Sequence, residues 1–194
     1  MDTATLGALD RISAIVGGTK PSLLGVHALE TEGMNAIPRV FALVLSRTLG
    51  LPLASGIVQL NRVTHTGADE YHRLASPALF GGAAETGDYF LVDDFIGQGG
   101  TLANLRGYVE SQGCHVIGAT TLTGKAYSAR LKLREETLQE LRGKHGPRFE
   151  AWWCDSFGYG FERLTESEAR YLLRADDAHT ISERLAAASR KRDR

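Results

Sequence analysis

Short apolar runs alternate with longer amphipathic stretches along this chain. Five runs show little polar–apolar alternation, the pattern of strands buried on both faces. They are SLLGVHAL (22–29), PLASGIV (52–58), DYFLVDD (88–94), HVIGATTL (115–122) and FEAWWC (149–154). Helical patterns lie between them. Over 38–49, Val40, Phe41, Val44, Leu45 and Leu49 recur on one face, and Pro38 stands in the first turn, where its missing N–H costs nothing. Over 101–112, Leu102, Leu105 and Val109 repeat at i, i+3 and i+7, and Gly113 sits where a C-cap is wanted. The stretch SARLKLREETLQELRGK predicts a third helix, and TESEARYLLR and TISERLAAASRK predict two more. Strands alternating with helices predict an α/β fold, an open and mainly parallel sheet flanked by helices.

Two segments break the repeat. Residues 59–87 are polar and glycine-containing (THTGADEYHR, GGAAETG), longer than a tight connection requires, and are expected to form a mobile loop. Residues 155–194, with 1–20, are expected to form a small hood on a core of about 20–154, within a single domain over 1–194.

Composition narrows the class. The 194 residues are 43% hydrophobic and 23% charged, as in an ordinary globular protein, and long enough for a sizeable core. A formal net charge of -1 supplies no global field for nucleic acid or an anionic membrane, and the basic SRKRDR reads as a solvated end. Cys114 and Cys154 stand forty residues apart without paired metal-ligand spacing, which argues against a disulfide framework or zinc site. The first residues, with Asp2 and Asp10, do not read as a signal peptide, and no apolar run approaches the roughly 20 residues of a membrane span. The expectation is a soluble, cytoplasmic protein.

The chemistry concentrates at DYFLVDDFIGQGGTLANL (88–105), where an apolar strand ends in Asp93-Asp94 and Gly97, Gln98, Gly99, Gly100 and Thr101 open a helix. Backbone N–H groups and a helix N-terminus favour an anion there. A Walker loop would need a lysine before Thr101, and a dinucleotide fingerprint would need glycine at Leu102; neither fits. Two acids beside a phosphate would repel it unless something lies between. A ribose 5-phosphate resolves the conflict, with its 5-phosphate on the loop and its 2- and 3-hydroxyls donating to Asp93 and Asp94. Charge-assisted hydrogen bonds of this kind contribute about 1.5–3 kcal/mol each.

LVDDFIGQGGT resembles the signature of the type I phosphoribosyltransferases: apolar strand, two acids, two apolar residues and a small-residue phosphate loop. It is most similar to the adenine-type Ala-Thr-Gly-Gly-Thr, with Gly97 and Gln98 at the first two positions. A second stretch, ETEGM (30–34), is similar to that family's pyrophosphate-binding turn, Glu-x-Arg-Gly before a helix. Glu30 and Gly33 match, Thr31 takes the open position, and Glu32 replaces the arginine. The resemblance implies that 59–87 closes over the reacting centre, with Arg62, His65, His72 and Arg73 as candidates for contacting pyrophosphate. In hypoxanthine-guanine-type members a lysine after the next strand meets the 6-oxo group, and a Gly-Tyr-Gly-like turn with an acid closes the base pocket. Lys125, Phe157, Tyr159 and Glu162 occupy similar places, though Gly97 stands where those enzymes carry an acid. Of the aromatics Trp152, Trp153, Phe157, Tyr159 and Phe161, which could supply a stacking face for a base, most are expected in the core and one or two in the pocket.

The family likeness covers about 22–125 and weakly reaches 162. It implies a Rossmann-like phosphoribosyltransferase fold, phosphoribosyl pyrophosphate bound with Mg²⁺, and a purine-type base displacing pyrophosphate to give a nucleotide. It assigns no protein metal ligand and no general acid or base. Small molecules are the expected partners, not nucleic acid or membrane, and a homodimer is a compatible assembly. Two other readings stay open on the same site: a non-catalytic sensor of ribose phosphates or nucleotides, and a hydrolase of the glycosidic bond.

Overall fold

The computed structural model describes residues 3–30, 33–61, 70–175 and 177–192. In chain order the elements are α1 (Thr3–Val16), β1 (Ser22–Gly25), β2 (Ala28–Glu30), β3 (Gly33–Asn35), α2 (Ile37–Leu49), β4 (Leu53–Ala54), β5 (Ile57–Gln59) and α3 (Glu70–Ala75). Then follow β6 (Phe80–Gly82), β7 (Asp88–Ile96), α4 (Gly100–Ser111), β8 (His115–Gly124), α5 (Glu135–Phe157), α6 (Glu166–Arg174) and α7 (Ala178–Arg192). They gather in two compact units, one from described residues of 1–62, 79–95 and 104–124, the other from those of 63–78, 96–103 and 125–194.

The first unit is built on a four-stranded sheet in the order β4-β1-β7-β8. Strand β1 runs parallel to both β4 and β7, with Leu23 opposite Leu53 and Phe90. Leu23, Leu24, Phe90, Leu91 and Val92 are all buried, which is why these strands read as unbroken apolar runs. Helix α2 packs on β1 and α1 on β8. Their apolar faces, Ala42 and Leu45 from α2 and Ile12 and Val16 from α1, share one core with Leu23, Leu51, Phe90 and Val92. Gly25 lets α2 approach: a Cβ there would stand 2.8 Å from the Pro38 carbonyl oxygen. The expected α/β architecture, a mainly parallel sheet flanked by helices, is the one observed.

Several expected elements change. The run 22–29 divides into β1 and β2, and 52–58 into β4 and β5, because β2 and β5 leave the main sheet for antiparallel pairs with β3 and β6. Residues 59–87 are not one long loop: they carry α3, β6 and the end of β5.

The second unit corrects the fifth strand. FEAWWC (149–154) is helical, part of α5, which bends at Gly146 (φ 76°, ψ 167°) and resumes at Pro147. Phe149 and Trp153 fall one helical turn apart and are both buried. A six-residue apolar run has no period that separates a buried strand from a buried helical turn. The third helix starts later than expected, at Glu135, after a single 3₁₀ turn at Ala126–Ser128. Around Trp153 pack Phe149, Leu138, Leu141, Phe161, Leu164 and Leu172, joined by Tyr71 of α3 and Ile181 and Leu185 of α7. Among the described residues no helix is long and apolar enough to cross a membrane.

A buried carboxylate ties this unit together. Glu166 accepts from the Arg134 backbone N–H (3.0 Å), Arg134 Nε (3.1 Å), Thr137 Oγ1 (2.9 Å) and Arg170 Nε (2.7 Å). Burial acts to raise its pKa, but these bonds and the Arg134 charge bring it down to about 2. A depressed pKa means stability present above the ordinary carboxylate range and lost as pH falls toward 2. Glu166→Ala is expected to lose about 2–4 kcal/mol in urea unfolding at pH 7. The same substitution should flatten the loss of stability that the parent protein shows between pH 4.5 and 2. An unchanged midpoint at pH 7 would refute this role.

Candidate functional site

The parallel ladder of β7 with β1 ends at Gly25 opposite Val92, where the Val26 N–H donates to the Val92 carbonyl at 2.8 Å. Asp93 and Asp94 come next, past the carboxyl end of the pairing, where open parallel sheets bind ligands. The two acids live in different surroundings. Asp93 is only 6% exposed, and its Oδ1 accepts from the Asp94 N–H at 2.9 Å. Burial pushes its carboxyl up to about 8, opposed by that hydrogen bond and reinforced by the charge of Asp94. At neutral pH it is therefore mainly a protonated acid that can donate as well as accept. Asp94 is half-buried and accepts from Asn35 Nδ2 at 2.9 Å. Asn35 Oδ1 in turn accepts from the Ile37 N–H at 3.1 Å, which ties Asp94 to the start of α2. Burial thus answers the puzzle of paired like charges: at neutral pH the pair carries fewer than two.

The glycine loop belongs to the second unit. Helix α4 starts at Gly100, and the Ala103 N–H closes its first turn on the Gly99 carbonyl at 2.9 Å. Gly99 has φ +88°, a conformation other residues adopt at a cost, and a Cβ there would come within 2.6 Å of Leu131 Cδ2. Thr101, half-buried, lies in the first turn of α4, whose N–H groups lack intrahelical partners. Gln98 is buried, and neither Oε1 nor Nε2 of its amide has a partner among the described residues. An unpaired buried amide costs about 1–3 kcal/mol, which a ligand offering a donor and an acceptor would recover. The Gln98 carbonyl does have a partner, Thr165 Oγ1 at 2.8 Å.

The other expected residues are placed as follows. Glu30 and Gly33 face each other across the β2–β3 hairpin, while Thr31 and Glu32 lie outside the described residues, as do Arg62 and His65. His72 is in α3 with its side chain outside the described residues, and Arg73 is half-buried on the same helix. The Lys125 N–H donates to the Ile96 carbonyl at 2.9 Å, and its Nζ stands 5.9 Å from the centre of the Tyr127 ring. Phe157 and Tyr159 pack on Trp153, with ring centres 4.5 and 6.2 Å away. Glu162 is exposed and lies 3.7 Å from the Arg142 guanidinium. Trp153 and Phe161 are core residues.

Three site residues were not singled out from the sequence: Asn35, Thr165 and Glu168. Each had a local signal. Asn35 stands two residues before the start of a helix, where its side chain can cap, and TESE is a capping-box pattern. What no local signal gave was their long-range partners. Among the described residues no group of three or more His, Cys, Asp or Glu side chains is placed to hold a metal ion.

No family model matches the chain. It is 40% identical over 179 residues to Protein TraN of Escherichia coli, covering 92% of this chain and 40% of that protein. It is likewise 40% identical over 109 residues to an uncharacterized protein of Haemophilus influenzae, covering 56% of this chain and 24% of that one. The chain therefore spans well under half the length of these curated relatives. Among solved structures, a crystal structure of adenine phosphoribosyltransferase overlaps 62% of this chain and 69% of that one at 16% identity. The TM-score is 0.41, too partial an overlap to decide a fold or an activity.

Because burial raises its pKa, Asp93 makes stability depend on pH. Its contribution to stability is present below about pH 4 and is lost as pH rises through about 8. Asp93→Asn is expected to be more stable than the parent protein at pH 8, with the gap closing at pH 5, in urea unfolding at both values. Parallel pH profiles would show that Asp93 is not held neutral by burial.

Proposed function

We propose that the chain binds a ribose 5-phosphate group and transfers it from phosphoribosyl pyrophosphate to a nitrogenous base, a purine first among them, releasing pyrophosphate. The observation that supports this best is the acid pair: a neutral donor–acceptor, Asp93, beside an acceptor, Asp94, at the carboxyl end of β7. That pairing suits vicinal sugar hydroxyls, which both donate and accept. In this reading Gly97, Gln98, Gly99, Gly100 and Thr101 take the 5-phosphate, Glu30 to Gly33 the pyrophosphate, and Lys125, Phe157, Tyr159 and Glu162 the base.

The reaction breaks the bond between the anomeric carbon and pyrophosphate through an oxocarbenium-like state, so positioning and charge stabilisation carry the rate. The Asp94 carboxylate lies next to the residue that would hold the ribose and suits the developing positive charge. Mg²⁺ arriving with the substrate would offset the charge of the leaving pyrophosphate. Such an ion keeps most of its waters and takes one or two carboxylates. Asp94, half-buried with Oδ2 held by Asn35, fits that demand. A second reading, ligand sensing without transfer, is favoured by one feature: a carboxylate oxygen of Glu168 stands beside Gly100 at the start of the phosphate loop.

The test is pyrophosphate release from phosphoribosyl pyrophosphate and Mg²⁺, with adenine, hypoxanthine, guanine, xanthine, uracil and orotate offered singly. Release that depends on one purine is expected. Release without a base would replace transfer by hydrolysis, and binding without release would leave the sensor. Replacing both Asp93 and Asp94 by Asn should weaken ribose 5-phosphate binding about tenfold or more in calorimetry, chiefly through the loss of the charge-assisted hydrogen bond that Asp94 would make. Unchanged affinity would remove the acids from the site.

A further inference from the structure

The glycine loop is gripped by the first turn of α6. Thr165 is fully buried, and its hydroxyl accepts from the Glu168 N–H at 3.1 Å while donating to the Gln98 carbonyl at 2.8 Å. Glu168 Oε2 accepts from the Thr165 N–H at 2.7 Å, which closes a capping box. The other oxygen, Oε1, lies against the first residue of α4: a Cβ on Gly100 would be 2.6 Å from it. Helix α6 is fixed at its far end as well, where Lys144 Nζ donates to the carbonyls of Leu173 and Ala175 at 2.6 Å each. Ser128 Oγ donates to Ser167 Oγ at 3.0 Å, a further buried bond in the same turn.

We infer that the first turn of α6 sets the anion affinity of the glycine loop, with Thr165 positioning the loop backbone and Glu168 limiting the negative charge the loop accepts. The inference rests on the reading that this loop takes a phosphate. The start of α4 offers unsatisfied N–H groups and a partial positive charge. Once ionised, the Glu168 carboxylate beside Gly100, whose pKa burial raises, offsets that field, and an entering phosphate meets a like charge. The Thr165 bond also holds the Gln98 carbonyl in place, and with it the buried amide that lacks a partner among the described residues. Neither role follows from helix capping alone. Glutamine serves a capping box as well as glutamate does, so Glu168→Gln removes the charge and keeps the cap.

The experiment is calorimetric titration of ribose 5-phosphate at pH 8, in a phosphate-free buffer, into the parent protein and the variants Glu168→Gln, Thr165→Val and Thr165→Ser. Thermal melting checks each fold. Glu168→Gln is expected to bind roughly tenfold tighter, the size of a like-charge interaction at short range in a partly screened site. Thr165→Val is expected to bind several-fold more weakly, and Thr165→Ser, which keeps the hydroxyl, to restore affinity. Unchanged or weaker binding by folded Glu168→Gln, with the parent protein binding, would overturn the role of Glu168 alone. Thr165→Ser as weak as Thr165→Val would overturn the role of Thr165. If no variant binds ribose 5-phosphate, the phosphate reading of the loop fails and this inference fails with it.

Discussion

The first unit depends on one strand whose middle is closed to water. Tyr89, Phe90, Leu91 and Val92 of β7 are buried between neighbouring strands and under the helices that cover the sheet. That burial continues one residue past the apolar run, to Asp93, where a core would place a valine or leucine at no cost. A lone carboxyl in such a place survives by keeping its proton, and even then its polar atoms need partners. A group retained against stability, at the end of a strand where ligands bind, is a candidate for function with a physical reason behind it.

Helix α6 shows the same logic by contrast within three residues. Glu166 is deeply buried and has donors from Arg134, Thr137 and Arg170, so its charge is stabilised and its role is structural. The carboxylate of Glu168, on the same short helix, accepts from the Thr165 N–H, but burial outweighs that bond and its pKa is raised. One carboxylate is matched to its surroundings and the other is not. The mismatch falls beside Gly100, at the loop that the sequence marks for phosphate.

Much of this was legible from the chain. DYFLVDD became β7 because burial on both faces demands continuous apolar sequence, HVIGATTL became the partly exposed β8, and α2 and α4 began within a residue of where their periodicity placed them. FEAWWC was misread because six apolar residues fit either state; the deciding feature was the Gly146-Pro147 break before it, which starts a fresh helical turn. The acids and the glycine loop were visible because they are consecutive. The partners that tune them were not, since Asn35 meets Asp94 across 59 residues and Thr165 meets Gln98 across 67. Side-chain caps announce themselves locally, but which loop a cap will also hold is decided by tertiary packing.

The energetics divide recognition from catalysis. A protonated Asp93 and the buried Gln98 amide are each costly alone, and a ligand that satisfies either gains affinity by relieving that cost. Such gains are the same for a bound substrate and for its transition state, so they tighten binding without accelerating transfer. In the proposed transfer, rate would have to come from groups that respond to charge as it develops, Asp94 and whatever neutralises the departing pyrophosphate. At the turn proposed for pyrophosphate the sequence has Glu32 where the phosphoribosyltransferases it resembles carry an arginine, an acid where a leaving anion would want a cation. The groups proposed to bind a ribose phosphate are therefore distinct from those that the proposed transfer would need, and Glu32 is the residue at which transfer and sensing would part.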